Sequence, residues 1–371
     1  MSHLADAPEV ATAGLGTRLA AFAQALVFPV LAALLAFAVG AVVILASGND
    51  PVEAYAALLR GGFGSRTGIG RTLLGATPLV FTGLAVAVAF RAGLFNIGGE
   101  GQLYVGAITA AWLAISLPLG GGVAIVVAIV GAGVAGFLWG AIPGLLKALG
   151  AHEVITTIML NFIGVNLAYY LAQGPLSGDA VVPGTALIAD SRRLAALGGG
   201  FGRAHWGIAL AVLAAVVAYV LLWRTTRGFA IRTVGLAPEA ARYAGIPVAA
   251  NAVLAIAIAG LFAGIGGGIE VLGPYGRLSV PFVANLGFNG IGVALLGRNH
   301  PAGVVLAALF FGGLASGAQE MQFSADVPLD LADVLLAVVL LFVTATKLVE
   351  LIFGRRARAL AGDTKLEKGL A

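Results

Sequence analysis

The sequence predicts an all-α protein, a polytopic bundle of transmembrane helices that forms a single domain over residues 1–371. Hydrophobic residues make up 60% of the chain and charged residues only 10%, whereas soluble domains carry roughly 25% charged residues. The mean hydropathy is +1.01. Long runs carry no charge, and a helix needs about 20 apolar residues to cross a bilayer. These observations together predict an integral membrane protein.

Apolar runs of this length predict about ten spans. The first is too long for the apolar core of a cleaved signal peptide, so we expect it to be retained. The third and the eighth are short. In chain order the spans lie at residues 19–46, 72–90, 103–117, 121–146, 154–173, 206–223, 252–270, 284–297, 301–323 and 329–348.

Two segments between the spans have patterns of their own. Residues 50–60 combine helical apolar spacing with Pro51 in the first turn, which predicts a helix on the membrane surface. Residues 173–205 are rich in glycine, proline and serine, which is typical of turns. We interpret the second segment as an external dock or as a simple connector.

The basic residues predict the orientation of the spans, because cytoplasmic loops retain lysine and arginine during insertion. With both termini in the cytoplasm, 14 of the 21 basic residues lie on the inner side. This predicts cytoplasmic tails at residues 1–18 and 349–371 and a cytoplasmic loop at residues 224–251. The asymmetry explains the net charge of +4 without a nucleic-acid partner. The outer basic residues are Arg60, Arg66, Arg71, Arg192, Arg193, Arg203 and Arg277.

Residues that the chain lacks exclude several kinds of chemistry. There is no cysteine, which excludes disulfides and cysteine metal sites, and the four histidines lack ligand spacing. The chain also lacks the phosphate-binding loop G-x-x-x-x-G-K-[ST]. Ser316 is not in a nucleophile-elbow pattern. We therefore expect no catalytic residue, no metal and no cofactor, and do not expect an enzyme.

Two polar, glycine-rich segments interrupt the apolar spans. Residues 91–102 contain four glycines, which favours a broken helix over a continuous one, with an ordinary cytoplasmic turn as the alternative. Residues 270–290 contain Gly273-Pro274 and a further proline. Each break follows the second span of a five-span half. Because each half would cross the membrane an odd number of times, the second half would start on the opposite side, so the two halves would be inverted repeats. No repeat is visible residue by residue.

Four runs carry a resemblance to a known family. They are residues 95–102 (FNIGGEGQ), 152–162 (HEVITTIMLNF), 235–246 (GLAPEAARYAGI) and 287–297 (GFNGIGVALLG). Together, and in this order, they resemble the permease subunits of bacterial nucleoside and simple-sugar ABC importers. This family lies within the wider group that holds ribose and branched-chain amino acid permeases. The resemblance covers about residues 70 to 345.

The resemblance implies a permease subunit in the bacterial inner membrane, which carries nucleosides, related purines or simple sugars by alternating access. It also implies three protein partners. An ABC ATPase subunit with two nucleotide-binding domains would hydrolyse ATP, and a second, related permease subunit would complete a heterodimer. A periplasmic or lipid-anchored binding protein would deliver the substrate. Membrane lipid would surround the subunits.

The resemblance also places the ATPase-coupling segment within residues 224–251. The residues themselves agree: Pro238 suits a first helical turn, Glu239 lies near the positive end of the helix and Arg242 near its negative end. This predicts a short rigid helix at residues 238–243, with an ordinary surface helix as the alternative. Ala237 replaces an asparagine that is frequent in such runs, which could remove a helix cap. The predicted coupling residues are Gly235, Pro238, Glu239, Ala240, Arg242, Tyr243 and Gly245.

Polar residues inside spans are candidates for the translocation path, because their burial in a membrane is costly. We interpret Asn161, Asn166, Gln319 and Glu320 as helix-packing residues instead. One alternative function is an ion-coupled secondary transporter with a glutamate as the coupling carboxylate, Glu100 or Glu270. Another is a scaffold or receptor that moves no solute. The predicted path residues are Phe95, Asn96, Glu100, Gln102, Glu270, Phe282, Asn285, Phe288 and Asn289.

Overall fold

The structure is a computed structural model that describes residues 34–178, 182–283 and 285–328, together with residues 331, 334, 337, 338 and 341. Within these residues the chain is helical, with three isolated β-bridges and no strand. The prediction of an all-α fold is therefore confirmed. Among these residues, 49–328 belong to one compact unit, and residues 34–48 belong to a second unit.

The described helices follow each other through short turns. A 3₁₀ turn lies in the segment between α6 and α7, and a π-helical turn, Val271–Tyr275, continues α10. The helices are α1 (Leu34–Ala46), α2 (Pro51–Phe63), α3 (Arg66–Arg91), α4 (Gly99–Ser116), α5 (Gly121–Ala148), α6 (Glu153–Gln173), α7 (Gly207–Arg224), α8 (Thr226–Leu236), α9 (Pro238–Tyr243), α10 (Val248–Glu270), α11 (Leu286–Leu296) and α12 (Pro301–Ala325).

Six described helices are long and apolar enough to cross a membrane, namely α3, α5, α6, α7, α10 with its π turn, and α12. The helices α4 and α11 coincide with the two short predicted spans, and α11 has only 11 residues. The first and tenth predicted spans lie largely outside the described residues. The ten-span arrangement and the inverted repeats therefore stay predictions.

Local chemistry explains where several helices begin. The carboxylate of Asp50 accepts a hydrogen bond from the N–H of Val52 at 2.8 Å, and Pro51 occupies the first turn of α2. The helix predicted at residues 50–60 is present as α2. The hydroxyl of Ser65 caps α3 in the same way by accepting from the N–H of Gly68 at 2.9 Å. These caps satisfy amide groups that have no partner within the helix.

The helices α5 and α10 pack closely against each other. A Cβ atom added to Gly136 would lie 2.2 Å from the carbonyl oxygen of Gly260, and one added to Gly260 would lie 2.1 Å from that of Gly136. One turn away, a Cβ on Gly264 would lie 2.4 Å from the carbonyl oxygen of Ala132. Small residues at intervals of four allow the two backbones to touch, as is common in membrane helices.

Both breaks predicted from the sequence coincide with non-helical segments. Residues 92–98 separate α3 from α4, and the described residues 276–283 and 285 lie between the π turn of α10 and α11. The helices α4 and α11 both start directly after a break. Their first turns lie next to each other, because a Cβ on Gly99 would lie 3.5 Å from the Cα of Gly287.

Candidate functional site

Glu100 joins the starts of α4 and α11. Its carboxylate accepts hydrogen bonds from the N–H of Asn285 at 2.9 Å and from the N–H of Gly287 at 2.6 Å, and the residue is only 6% exposed. The helices touch here, because a Cβ on Gly287 would lie 2.2 Å from the backbone nitrogen of Glu100. A carboxylate near the first turns of two helices is favourable, since both helix dipoles are positive there. Glu100 is thus a structural tie in this conformation.

Asn96 and Gln102 are also satisfied by the protein itself. Asn96 accepts from the N–H of Gly98 at 2.9 Å and donates to the side-chain oxygen of Gln102 at 3.2 Å, and both side chains are buried. Asn161 on α6 accepts from the N–H of Gly101 at 2.7 Å and donates to the carbonyl of Ile97 at 2.7 Å. These amides therefore hold the turn before α4 in shape.

The remaining residues of the predicted path divide into buried and exposed groups. Phe282 is 6% exposed and packs edge-on against Tyr104, with ring centroids 5.6 Å apart. Phe95 is 39% exposed and packs on Phe90, and Phe288 is 43% exposed. The side chains of Asn285 and Asn289 are exposed at the start of α11. The structure does not bring the nine residues into one cavity.

A cavity of about 480 Å³ lies between α3, α10 and α12, and Glu270 is the one predicted path residue in its lining. Glu270 is the last residue of α10 and is 4% exposed. The cavity is lined by Thr67, Arg71, Leu74, Gly75, Pro78, Gly202, Arg203, Glu270, Pro274, Tyr275, Val283, Leu286, Gly312, Ala315, Ser316 and Gln319.

Sequence reasoning missed most of the polar lining of this cavity. Arg71 and Arg203 count only as outer charges in the sequence, and Gln319, interpreted there as a packing residue, is exposed and lines the cavity. Pro78 inside α3 is a signal that could have pointed here, since an internal proline removes a helical hydrogen bond. Among the described residues, no group of three His, Asp or Glu side chains could hold a metal ion.

The helix predicted at residues 238–243 is present as α9. Glu239 and Arg242 form an exposed ion pair at 3.1 Å, and Ala237 provides no side-chain cap. Tyr243 is 94% exposed and Leu236 is 86% exposed. The exposed part of this segment is named the α9 surface and consists of Leu236, Pro238, Glu239, Ala240, Arg242, Tyr243, Ala244 and Gly245.

The end of α8, which directly precedes α9, packs on the end of α3. A Cβ on Gly235 would lie 2.2 Å from the carbonyl oxygen of Arg91, so only glycine permits this contact. The guanidinium groups of Arg91 and Arg232 lie 5.1 and 5.6 Å from the ring of Trp223, at cation–π distance. Arg91 also donates to the carbonyl of Asn299 at 2.9 Å, in the turn before α12. The α8–α9 segment is therefore connected to both α3 and α12.

Comparison with known proteins identifies the family. Residues 68–344 match the family described as branched-chain amino acid transport system / permease component. The guanosine ABC transporter permease protein NupP of Bacillus subtilis is 39% identical, over 89% of this chain and 96% of its own length. The nucleoside ABC transporter permease protein NupB of Lactococcus lactis is 34% identical, over 92% and 96%.

A third relative names a different solute. The glucose ABC transporter permease protein TsgB13 of Haloferax volcanii is 36% identical, over 91% of this chain and 94% of its own length. No solved structure matches the chain significantly. These matches support the resemblance inferred from the four sequence runs and do not support an ion-coupled secondary transporter. The chain belongs to the branched-chain amino acid transport system permease family and is a permease subunit of an ABC importer.

Proposed function

We propose that this subunit carries nucleosides across the bacterial inner membrane and that an ATPase docks on its α9 surface. Two of the similar relatives named above are described as guanosine or nucleoside permeases, and a third as a glucose permease. Guanosine, other ribonucleosides and glucose are neutral solutes that carry adjacent hydroxyl groups. The choice of a nucleoside rests on these names.

A second permease subunit is supported by pairs of relatives. In Bacillus subtilis, the guanosine permease proteins NupP and NupQ are 39% and 27% identical to this chain. In Lactococcus lactis, the nucleoside permease proteins NupB and NupC are 34% and 25% identical to it. Two unequal relatives within one organism suit a heterodimer of permeases. We expect this chain to take the place of the more similar member of each pair.

The observation that carries the ATPase assignment is the shape of the α9 surface. It joins a short rigid helix to a protruding aromatic side chain, Tyr243, and an exposed leucine, Leu236, on a segment that we expect in the cytoplasm from the distribution of basic residues. Exposed aromatic anchors are typical of protein interfaces.

The helix α3 offers a route from the α9 surface to the cavity. Its last residue, Arg91, contacts Gly235 and the turn before α12, and its first half supplies Arg71, Gly75 and Pro78 to the cavity lining. The helix has 26 residues and is therefore about 39 Å long. We expect ATP binding to move α9, and α3 and α12 to follow, so that the cavity opens to each side of the membrane in turn.

Copurification tests this proposal. The tagged wild-type subunit, extracted in mild detergent, should recover an ATPase and a second permease, and its cells should take up labelled guanosine. In the double variant Glu239→Lys with Arg242→Glu, the helix dipole is no longer complemented and the exposed charges are exchanged. It should lose the ATPase and uptake but keep the second permease. If the double variant keeps both the ATPase and uptake, the docking assignment is wrong.

A further inference from the structure

The cavity between α3, α10 and α12 contains a buried carboxyl group with an unused oxygen. Oε1 of Glu270 receives no hydrogen bond from any described residue, and Glu270 forms no ion pair with them. The nearby arginines do not pair with it: Arg71 pairs with Glu320 at 3.6 Å through one terminal nitrogen, while its buried Nε has no partner among the described residues, and Arg203 donates to the carbonyl of Pro274. A buried acceptor without a donor costs free energy, so its retention needs a reason.

The backbone of α3, another element that lines the cavity, supplies a second acceptor. Pro78 has no N–H, so the carbonyl of Leu74 lacks its usual helical donor, and both residues line the cavity. On the opposite wall, the π turn Val271–Tyr275 directly follows Glu270. Such turns occur frequently at functional sites. Oε1 of Glu270 is thus an acceptor in the cavity lining that a ligand with hydrogen-bond donors would satisfy.

The rest of the cavity suits a small, partly aromatic solute. Its volume of about 480 Å³ lies within the range of small-molecule sites, roughly 300–1,000 Å³. Leu74, Pro78 and Val283 supply apolar walls, and Tyr275, which is 43% exposed, supplies an aromatic face. By contrast, the amides of Asn96 and Gln102 already bond to each other or to the chain.

We propose that this cavity binds the transported solute through two adjacent hydroxyl groups, which donate hydrogen bonds to the carboxyl group of Glu270. The inference rests on the proposed function, because the ribose of a nucleoside presents such a pair. The base of the nucleoside would then pack against Tyr275. The solute thus supplies the donor that Oε1 of Glu270 lacks among the described residues.

Crossed changes in the side chain and the solute test this contact. The intact importer is reconstituted in vesicles with its binding protein, and maximal uptake is measured for guanosine and for 2′,3′-dideoxyguanosine. Glu270→Met removes both acceptor oxygens while keeping a similar length. It should lower guanosine uptake by about tenfold or more, and uptake of the dideoxy compound by less than about twofold. The preference of the binding protein cancels, because each solute is compared between wild type and variant.

Other results overturn the inference. Equal losses for both solutes would assign Glu270 a structural role, and unchanged uptake would show that it does not contact the solute. If Glu270→Met does not assemble, Glu270→Gln keeps one acceptor oxygen and should show the same selectivity at smaller amplitude. If the wild-type importer takes up no nucleoside, the proposed function is wrong, and this inference is wrong with it. The wild-type control distinguishes this result from a failure of the inference alone.

A cavity block gives a second, independent measurement. Ala315 on α12 is exposed and lines the cavity, so Ala315→Trp should fill it and lower guanosine uptake at least about tenfold. Ala302 is exposed on the same helix but does not line the cavity, and Ala302→Trp should leave uptake unchanged. Full uptake with the cavity filled would show that solute does not pass through it.

Discussion

Replacing Glu100 with glutamine tests whether this residue is a tie between helices or a contact for the solute. In the structure both carboxylate oxygens are occupied, by the N–H of Asn285 and the N–H of Gly287. Glutamine has nearly the same shape but only one acceptor oxygen. Its amide nitrogen would face one of these donors, and one buried N–H at the start of α11 would lose its partner.

The expected loss follows from the two bonds. Each hydrogen bond to a charged group contributes about 1.5–3 kcal/mol, and the residue is 6% exposed, so solvent provides little compensation. Losing one bond and the charge of the other should cost about 3 kcal/mol. For a chain of this size, this lowers the midpoint of thermal unfolding by an amount of the order of 5 °C.

The assay is thermal unfolding of the purified subunit in detergent, combined with guanosine uptake at equal amounts of folded protein. Glu53→Gln is the matched control, because Glu53 also lies in a first helical turn but is exposed, and its melting midpoint should not change. Uptake per folded Glu100→Gln molecule should keep its preference among nucleoside analogues. A wild-type melting midpoint together with an altered preference would refute the tie and place Glu100 on the path.

Three further outcomes are expected. Gly136→Ala places a methyl group 2.2 Å from the carbonyl oxygen of Gly260 and should cost about 2 kcal/mol, whereas Gly122→Ala, with no atom within 4 Å of the added group, should be neutral in the same melting assay. Burial lowers the pKa of His205 from 6.5 to about 4. As the pH falls, the histidine of the unfolded chain binds a proton first, so the free energy of unfolding should fall by roughly 3 kcal/mol between about pH 6.5 and about pH 4. The variant His205→Gln should lose this dependence of the unfolding free energy on pH. An unchanged dependence would exclude His205 as its cause. Tyr243→Ala should weaken ATPase recovery about thirtyfold, and equal recovery from both proteins would show that this side chain is no anchor.

The membrane class and most helices could be predicted from the sequence. Apolar runs set the helices, and the spacing of Pro238, Glu239 and Arg242 located α9 to the residue. The signals for these elements lie within a few positions of each other along the chain. Short-range chemistry, such as a proline in the first turn or a charge near a helix end, is visible without knowing what packs nearby.

The roles of the polar residues could not be predicted in this way. Glu100 and Glu270 look alike in the sequence, since both are carboxylates within two positions of a glycine and close to a predicted break. One is satisfied by amides 185 and 187 positions away, and the other has an oxygen without any donor among the described residues. Hydropathy marks both as costly to bury but does not record which partner each one meets.

The sequence by itself determined that this protein is a helical membrane protein and where its α9 surface lies, because hydropathy and helix-end chemistry depend on neighbouring residues. The permease function followed from the resemblance of four sequence runs to a known family. Only the tertiary structure decided that Glu100 ties α4 to α11 and that Arg71, Glu270 and Gln319 share one cavity. The physical reason is that hydrogen-bond satisfaction and cavity shape arise from contacts between helices far apart in the chain.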